Sequence, residues 1–111
     1  KSRFMVKVGQ HIKSISIDDV VAFYSKDKVN FLLTKEKRSY PIDQSLDQVA
    51  EILNPETFFK ISRSFIARLG GISDIMAYSN SRLRIVVNGL EEEVIVVARE
   101  KTKAFKVWLG E

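Results

Sequence analysis

FFKISRSFIARL, residues 58–69, is the stretch on which the reading of this chain turns. It is strongly apolar, yet Lys60, Arg63 and Arg68 interrupt it and no acid stands inside it. Its pattern does not by itself separate strand from helix. Three cations without a local counter-charge leave two explanations. They pair with remote acids such as Asp43 or Glu51, or their tips face an anionic partner that supplies the missing charge while the apolar residues anchor the segment. The second explanation is the expectation carried forward.

Outward from this stretch the charge distribution points the same way. The 111-residue chain has a formal charge of +4 and a pI near 9.4, a modest excess whose placement matters more than its size. Between Thr57 and Leu90 the cations are Lys60, Arg63, Arg68, Arg82 and Arg84, against the single acid Asp74. A second basic cluster, KEKR, covers 35–38, and acids dominate LEEE at 90–93.

The flanking segments read mainly as strands. FMVKV alternates apolar and polar residues, GQ turns, and HIKSISI continues until DD at 18–19 breaks it. VVAFYS and VNFLLTK are β-branched and aromatic runs on either side of KDK. KEKR turns into SYPI, whose Pro41 cannot donate to a ladder and so belongs at a sheet edge or strand end. Ser45 with Gln48 forms a capping box, Leu46, Val49, Ala50 and Leu53 share one helical face, and NP at 54–55 ends that helix. GG at 70–71 breaks the chain. ISDIMAY and RLRIVV make a hairpin through SNS, and RLRIVV and EEVIVV make another through NG at 88–89. AREKTKAFKVWLG closes as a helix with Phe105, Trp108 and Leu109 on one face. Eight or so strands with two helices, and no βαβ alternation, give a mainly β chain with helices packed on the side. The length suits one domain, 1–111, with one real core.

Several function classes fall away. There is no cysteine, which removes disulfides, thiolate nucleophiles and cysteine-based zinc sites and agrees with a reducing, cytoplasmic setting. One histidine, His11, cannot make a zinc site, and no acid spacing fits a calcium loop. LGG at 69–71 lacks the Lys-Ser/Thr of a phosphate loop. The expectation is of no enzyme, no metal and no cofactor. No apolar run reaches the roughly 18 residues of a membrane span, so no membrane partner is expected.

Nucleic-acid binding needs cations for phosphate and Arg, Asn or Lys tips for base edges. The chain places such residues at three junctions: Lys26, Lys28 and Asn30; Lys60, Ser62, Arg63 and Ser64; and Arg99, Lys101 and Lys103. Singly, each has a plainer reading as a solvated loop lysine or an arginine laying its stem over apolar surface.

At this point FFKISRSFIARLGGI resembles the core motif of the LytTR family of DNA-binding domains, with its aromatic pair, basic residue and Arg/Asn-Ser-Phe. KVGQHIKSISIDDVVAFYSKDK is similar to the family's opening hairpin, short turn and third strand, YPIDQSLDQVAEIL to its internal helix, and EEVIVVAREKTKAFKVWL to its closing strand and helix. The match covers about 3–109. It implies an elongated mainly β fold: about ten short antiparallel strands in three small sheets, one internal helix and a C-terminal helix. It also implies loops, not a recognition helix, entering successive major grooves. Residues carried over as base contacts are Asn30, Arg63 and Arg99. Those carried over as backbone contacts are Lys26, Lys28, Lys60, Ser62, Ser64 and Lys101. Departures from the pattern stand at Ser62 (often His), Arg68 (often Asn), Ala98 (often Ser) and Tyr24 (often Glu). The resemblance implies an output domain of a bacterial response regulator in a two-component phosphorelay. Its expected partners are double-stranded DNA at repeat operators, an upstream receiver domain and its sensor kinase, and a second copy on DNA. The chain is then a C-terminal fragment of a longer regulator, consistent with its opening on Lys1. Two alternatives stay open from the residues: a β-rich protein-interaction module that pairs through edge strands, and an OB-like single-strand binder with exposed stacking rings.

Overall fold

In the computed structural model, which describes residues 3–111, the ambiguous stretch is a hairpin: strands Phe58–Ser62 and Phe65–Arg68, reversing at Arg63 and Ser64. Strand phase decides its packing. Phe58 lies on one face of the sheet and Phe59 on the other, as alternation requires. A register shift between Lys60 and Ser62 then adds a residue and lets Ile61 bury completely.

This hairpin completes a larger sheet. Strands β1 (Arg3–Val8) and β2 (His11–Ser16) form a separate hairpin. Strands β3 (Val20–Lys26), β4 (Val29–Thr34) and β5 (Ser39–Ile42) follow, then helix α1 (Leu46–Ile52), then the hairpin above as β6 and β7. The five strands run in the order β5-β4-β3-β7-β6, all antiparallel. Strand β5 with Pro41 is at the edge, as the missing donor requires. Strands β8 (Ile72–Tyr78), β9 (Arg82–Val87) and β10 (Ile95–Val96) make a third sheet in the order β10-β9-β8, and α2 (Thr102–Trp108) closes the chain. The result is ten strands in three antiparallel sheets, with extents of 45 × 26 × 22 Å.

Both faces of the five-stranded sheet are covered. On one face Phe23, Leu32, Phe58 and Ile66 pack against Phe4 and Val6 of the first hairpin, Leu46 and Val49 of α1, and Leu53 just beyond it. On the other, Leu33, Ile61, Phe65 and Ala67 meet Ile85, Val87, Ile95, Val97 and Phe105. This explains why β3 begins with the unbroken apolar run VVAF, every residue of it buried, rather than an alternating pattern. Helix α1 starts where the capping box requires: Ser45 Oγ accepts from Gln48 N at 3.1 Å and Gln48 Oε1 accepts from Ser45 N at 2.9 Å.

One sequence expectation is corrected. The Asn88-Gly89 pair does not close a two-residue hairpin. Residues 88–94 form a longer loop, and β10 pairs only Ile95 with Ile85 and Val96 with Arg84. A two-residue turn would set Val87 opposite Leu90 and therefore Glu92 opposite Ile85 on the same face. Ile85 is fully buried, so that register would drive a carboxylate into the core. The longer loop puts Ile95 there instead.

Candidate nucleic-acid interface

The sequence-predicted residues lie in or beside three turns, and backbone hydrogen bonds tie these turns together. Ser25 N, at the end of β3, donates to Ser64 O at 2.9 Å. Ala98 N donates to Ile61 O at 2.8 Å, which docks the start of the closing turn Arg99–Lys101 beside the end of β6. Positions 28, 63 and 99, far apart in the chain, thus belong to one hydrogen-bonded neighbourhood around the β6–β7 turn.

The β3–β4 turn is built from Asp27 and Lys28, with φ of 52° and 67°. Lys26 pairs with Val29, so this is a two-residue hairpin loop with both central residues left-handed. Asp tolerates that region; Lys does so at a cost of about 1–2 kcal/mol. Lys28 is held with its side chain exposed at the tip. Asn30 is half-buried and donates from Nδ2 to Gln44 O at 3.0 Å. Its second amide proton and its carbonyl oxygen are what remain for a base edge. In the β6–β7 turn, Ser62 Oγ accepts from Ser64 N at 3.2 Å and shapes the reversal. Arg63, between them, is exposed and has no ion-pair partner among the described residues. Arg99 is also exposed and likewise unpaired. Ala98 offers no side-chain cap to the turn that Arg99 opens, as its residue type requires.

Shallow grooves connect these residues. One is lined by Ser25, Asn30, Ser45, Asp47, Lys60 and Arg63. A second, across the turn, is lined by Tyr24, Lys26, Ser62, Ser64 and Glu93 among others. A third runs past Lys60 to Lys101 and Trp108. Seven of the nine candidates therefore line adjoining grooves, while Lys28 and Arg99 stand out on exposed turns. Sequence reading did not single out Ser25, Gln44 and Asp47, which share this surface. A serine near a strand end and a glutamine in a loop carry no signal of their own; Asp47 is visible only as one acid of a helix.

The three cations of residues 58–69 have three different environments. Arg68 donates from Nε to Val20 O and from Nη2 to Ile17 O, and its guanidinium lies 4.6 Å from the centre of the Phe58 ring. Burial holds its pKa below the ordinary arginine value, with Asp18 and Asp19 pulling the other way. It is a clamp inside the fold rather than a tip facing outward, which corrects the expectation for this residue. Lys60 is mostly buried along its stem and pairs with Asp47 at 3.4 Å, an acid other than the two proposed from sequence. Arg63 alone combines exposure with the absence of a partner.

Aromatic rings are engaged internally. Tyr24 stacks between Phe31 and Phe65, with centroids 5.2 and 6.2 Å away, and its hydroxyl meets Ser39 Oγ at 2.7 Å. Tyr78 is exposed at the far turn of β8, where Arg82 covers its ring at 5.6 Å. The row of free rings that an OB-like reading requires is not present among the described residues. No cluster of metal-ligating side chains occurs among the described residues, and no helix of the described residues is long and apolar enough to cross a membrane.

A family model described as the LytTr DNA-binding domain matches residues 10–110. Among solved structures, the LytTr DNA-binding domain of a protein described as a methyl-accepting/DNA response regulator from Bacillus cereus superposes with a TM-score of 0.86. It is 22% identical, and the match covers 100% of this chain and 99% of that one; the likeness shows a shared fold. No curated protein sequence matches at a significant level.

Proposed function

Because the chain belongs to the LytTR family of DNA-binding domains, we propose that it binds double-stranded DNA sequence-specifically and regulates transcription as the output domain of a two-component response regulator. The observation that carries the reading is the gathering of three basic turns around Arg63. Arg63 and Arg99 are the base readers, since an exposed, unpaired guanidinium offers a planar fork that suits guanine O6 and N7 in the major groove. Asn30 contributes the amide functions not used by Gln44. Lys26, Lys28, Lys60, Ser62, Ser64 and Lys101 supply the phosphate and sugar contacts that set position along the duplex. The description of the Bacillus cereus relative as a response regulator supports an upstream receiver domain and sensor kinase for this chain. Two copies on repeats spaced near one helical turn, roughly 10 bp or a multiple, complete the reading.

The test pairs thermal melts with binding to a set of single-base variants of a duplex selected from a random library. Arg63→Ala and Arg99→Ala leave the melting temperature nearly unchanged, cost specific binding about 1–3 kcal/mol each, and relax preference at one base pair. Arg→Lys restores only part, because a point charge cannot make the bidentate contact. If both alanine variants fold normally and bind the selected duplex as tightly as the parent, the assignment of base readers is wrong.

A further inference from the structure

Among the described residues there are only two ion pairs, Lys26–Glu93 at 3.5 Å and Lys60–Asp47 at 3.4 Å. The chain carries 18 Lys and Arg and 14 Asp and Glu, so pairing had many other places to occur. Both pairs fall on lysines of the candidate interface. They also flank it: Glu93 shares a groove with Lys26, Ser62 and Ser64 on one side of the β6–β7 turn, and Asp47 shares a groove with Asn30, Lys60 and Arg63 on the other. The two acids come from unrelated elements, the loop 88–94 and the first turn of α1.

We propose that Asp47 and Glu93 are positioning residues that act through Lys60 and Lys26: each carboxylate occupies its lysine in the free protein and competes with DNA phosphate for the same ammonium. The inference rests on the DNA-binding reading above. A lysine ammonium has three donors but one charge, and both anions seek it. If phosphate displaces the carboxylate, the ion pair is lost on binding. If both stay, two anions sit side by side, which is repulsive. Either way the acid lowers affinity for any duplex, because phosphate attraction supplies essentially all sequence-independent binding. The acid also keeps the ammonium over the groove while no DNA is present. A built-in repulsive element of this kind restrains indiscriminate binding. Asp47 is almost fully exposed, whereas the Lys60 side chain is mostly covered. Lys60 therefore has little freedom to swing to another partner, and Asp47 has ample freedom to yield.

The experiment measures binding of the whole 111-residue chain to a duplex of random sequence, by fluorescence anisotropy at several salt concentrations. Glu93→Gln keeps the side-chain shape in an exposed loop, and it tightens binding about two- to five-fold, the range expected for releasing an exposed ion pair. Asp47→Asn does the same through Lys60. Glu92→Gln, an equal charge change on the same loop at a residue with no ion pair, has less than half that effect. In the Lys26→Ala background the gain from Glu93→Gln disappears while that from Asp47→Asn persists, a coupling that a merely structural role would not produce. Equal gains from Glu92→Gln and Glu93→Gln reduce the effect to net charge and overturn the proposal, as does unchanged or weaker binding by Glu93→Gln. If the parent chain itself shows no salt-dependent duplex binding, the DNA-binding reading fails, and this inference with it.

Discussion

Arg68 and Arg63 lie five residues apart in one hairpin, and the structure separates their roles in a way that experiment can check. Arg68 makes two hydrogen bonds from a charged group to the carbonyls of Val20 and Ile17 and lies over the Phe58 ring. Together these contacts fasten the β6–β7 hairpin to the turn that precedes β3. A hydrogen bond involving a charged group contributes about 1.5–3 kcal/mol, and a cation over an aromatic face roughly 0.5–1 kcal/mol at a partly exposed site. The terms are not additive, and water can re-solvate the carbonyl of the partly exposed Ile17 once the guanidinium is gone. Arg68→Ala is therefore expected to cost about 3 kcal/mol of folding stability. At about 4 °C per kcal/mol for a chain of this size, that lowers the melting temperature by roughly 12 °C. Arg68→Lys falls between, since one ammonium replaces one of the two bonds and loses the planar contact with the ring. Below its transition Arg68→Ala binds duplex DNA within about two-fold of the parent, because the guanidinium is committed to the carbonyls of Val20 and Ile17 and to the Phe58 ring. Calorimetry or circular-dichroism melts, run beside anisotropy titrations at a temperature where every variant is folded, give both numbers. A variant that melts like the parent but loses most of its DNA affinity refutes the structural role and returns Arg68 to the interface.

Two further expectations follow from individual geometries. Lys28→Gly converts the β3–β4 turn to Asp-Gly, the preferred chemistry when both central residues have positive φ. Relief of the left-handed lysine outweighs the added chain entropy of glycine, so stability rises by roughly 0.5–1 kcal/mol. In the same variant the log–log salt dependence of duplex binding falls by about 0.9. An unchanged slope would show that Lys28 touches no phosphate. The Glu91 carboxylate accepts from Gly89 N at 3.1 Å, and backbone hydrogen bonds, that of Gly89 first, hold its pKa below the ordinary value of 4.5. A depressed carboxylate contributes stability that is present above the unfolded pKa and lost as pH falls through the folded one. Acidification below 4.5 therefore weakens the 88–94 loop, and Glu91→Gln removes that part of the pH dependence. NMR titration of the Glu91 side chain checks the direction, and a midpoint above 4.5 contradicts it.

Much of the fold was legible because its signals are local. The capping box at Ser45 and Gln48, the proline in β5 and the breaks at 18–19 and 70–71 act within a few residues of where they stand: α1 begins at Leu46, Pro41 lies on an edge strand, and β3 and β8 begin at Val20 and Ile72, just after the breaks. The hairpin at 88–89 was misread because its turn signal is also local but its register is not. Asn-Gly favours a tight turn, yet which residue faces Ile85 is decided by the core, and the core admits Ile95 and rejects Glu92. The stretch 58–69 stayed ambiguous for the opposite reason. Its aromatic pair serves both faces of a doubly covered sheet, and the extra residue at the bulge near Ile61 breaks the two-residue period by which a strand is recognised.

The candidate site was legible in kind but not in pairing. Residue type and position at junctions picked out the cations, whereas their counter-charges depend on distances that no local pattern encodes. Asp47 and Glu51 stand four apart on α1 and so share a helical face, separated by about 6 Å along the axis. Which of them meets Lys60 depends on how far the connection 53–57 carries the chain before β6 begins, and the answer is Asp47. The two arginines differ for a similar reason. Arg68 lies opposite Phe58 in the strand register, so its fork is brought over that ring and onto the carbonyls beneath; Arg63 sits at the reversal, where no residue lies across from it. A guanidinium with a cross-strand partner is drawn into the fold, and one at a turn is left for whatever approaches from outside. The register of a single hairpin thus gives two chemically identical side chains different surroundings, one tied to backbone carbonyls and one exposed at a turn.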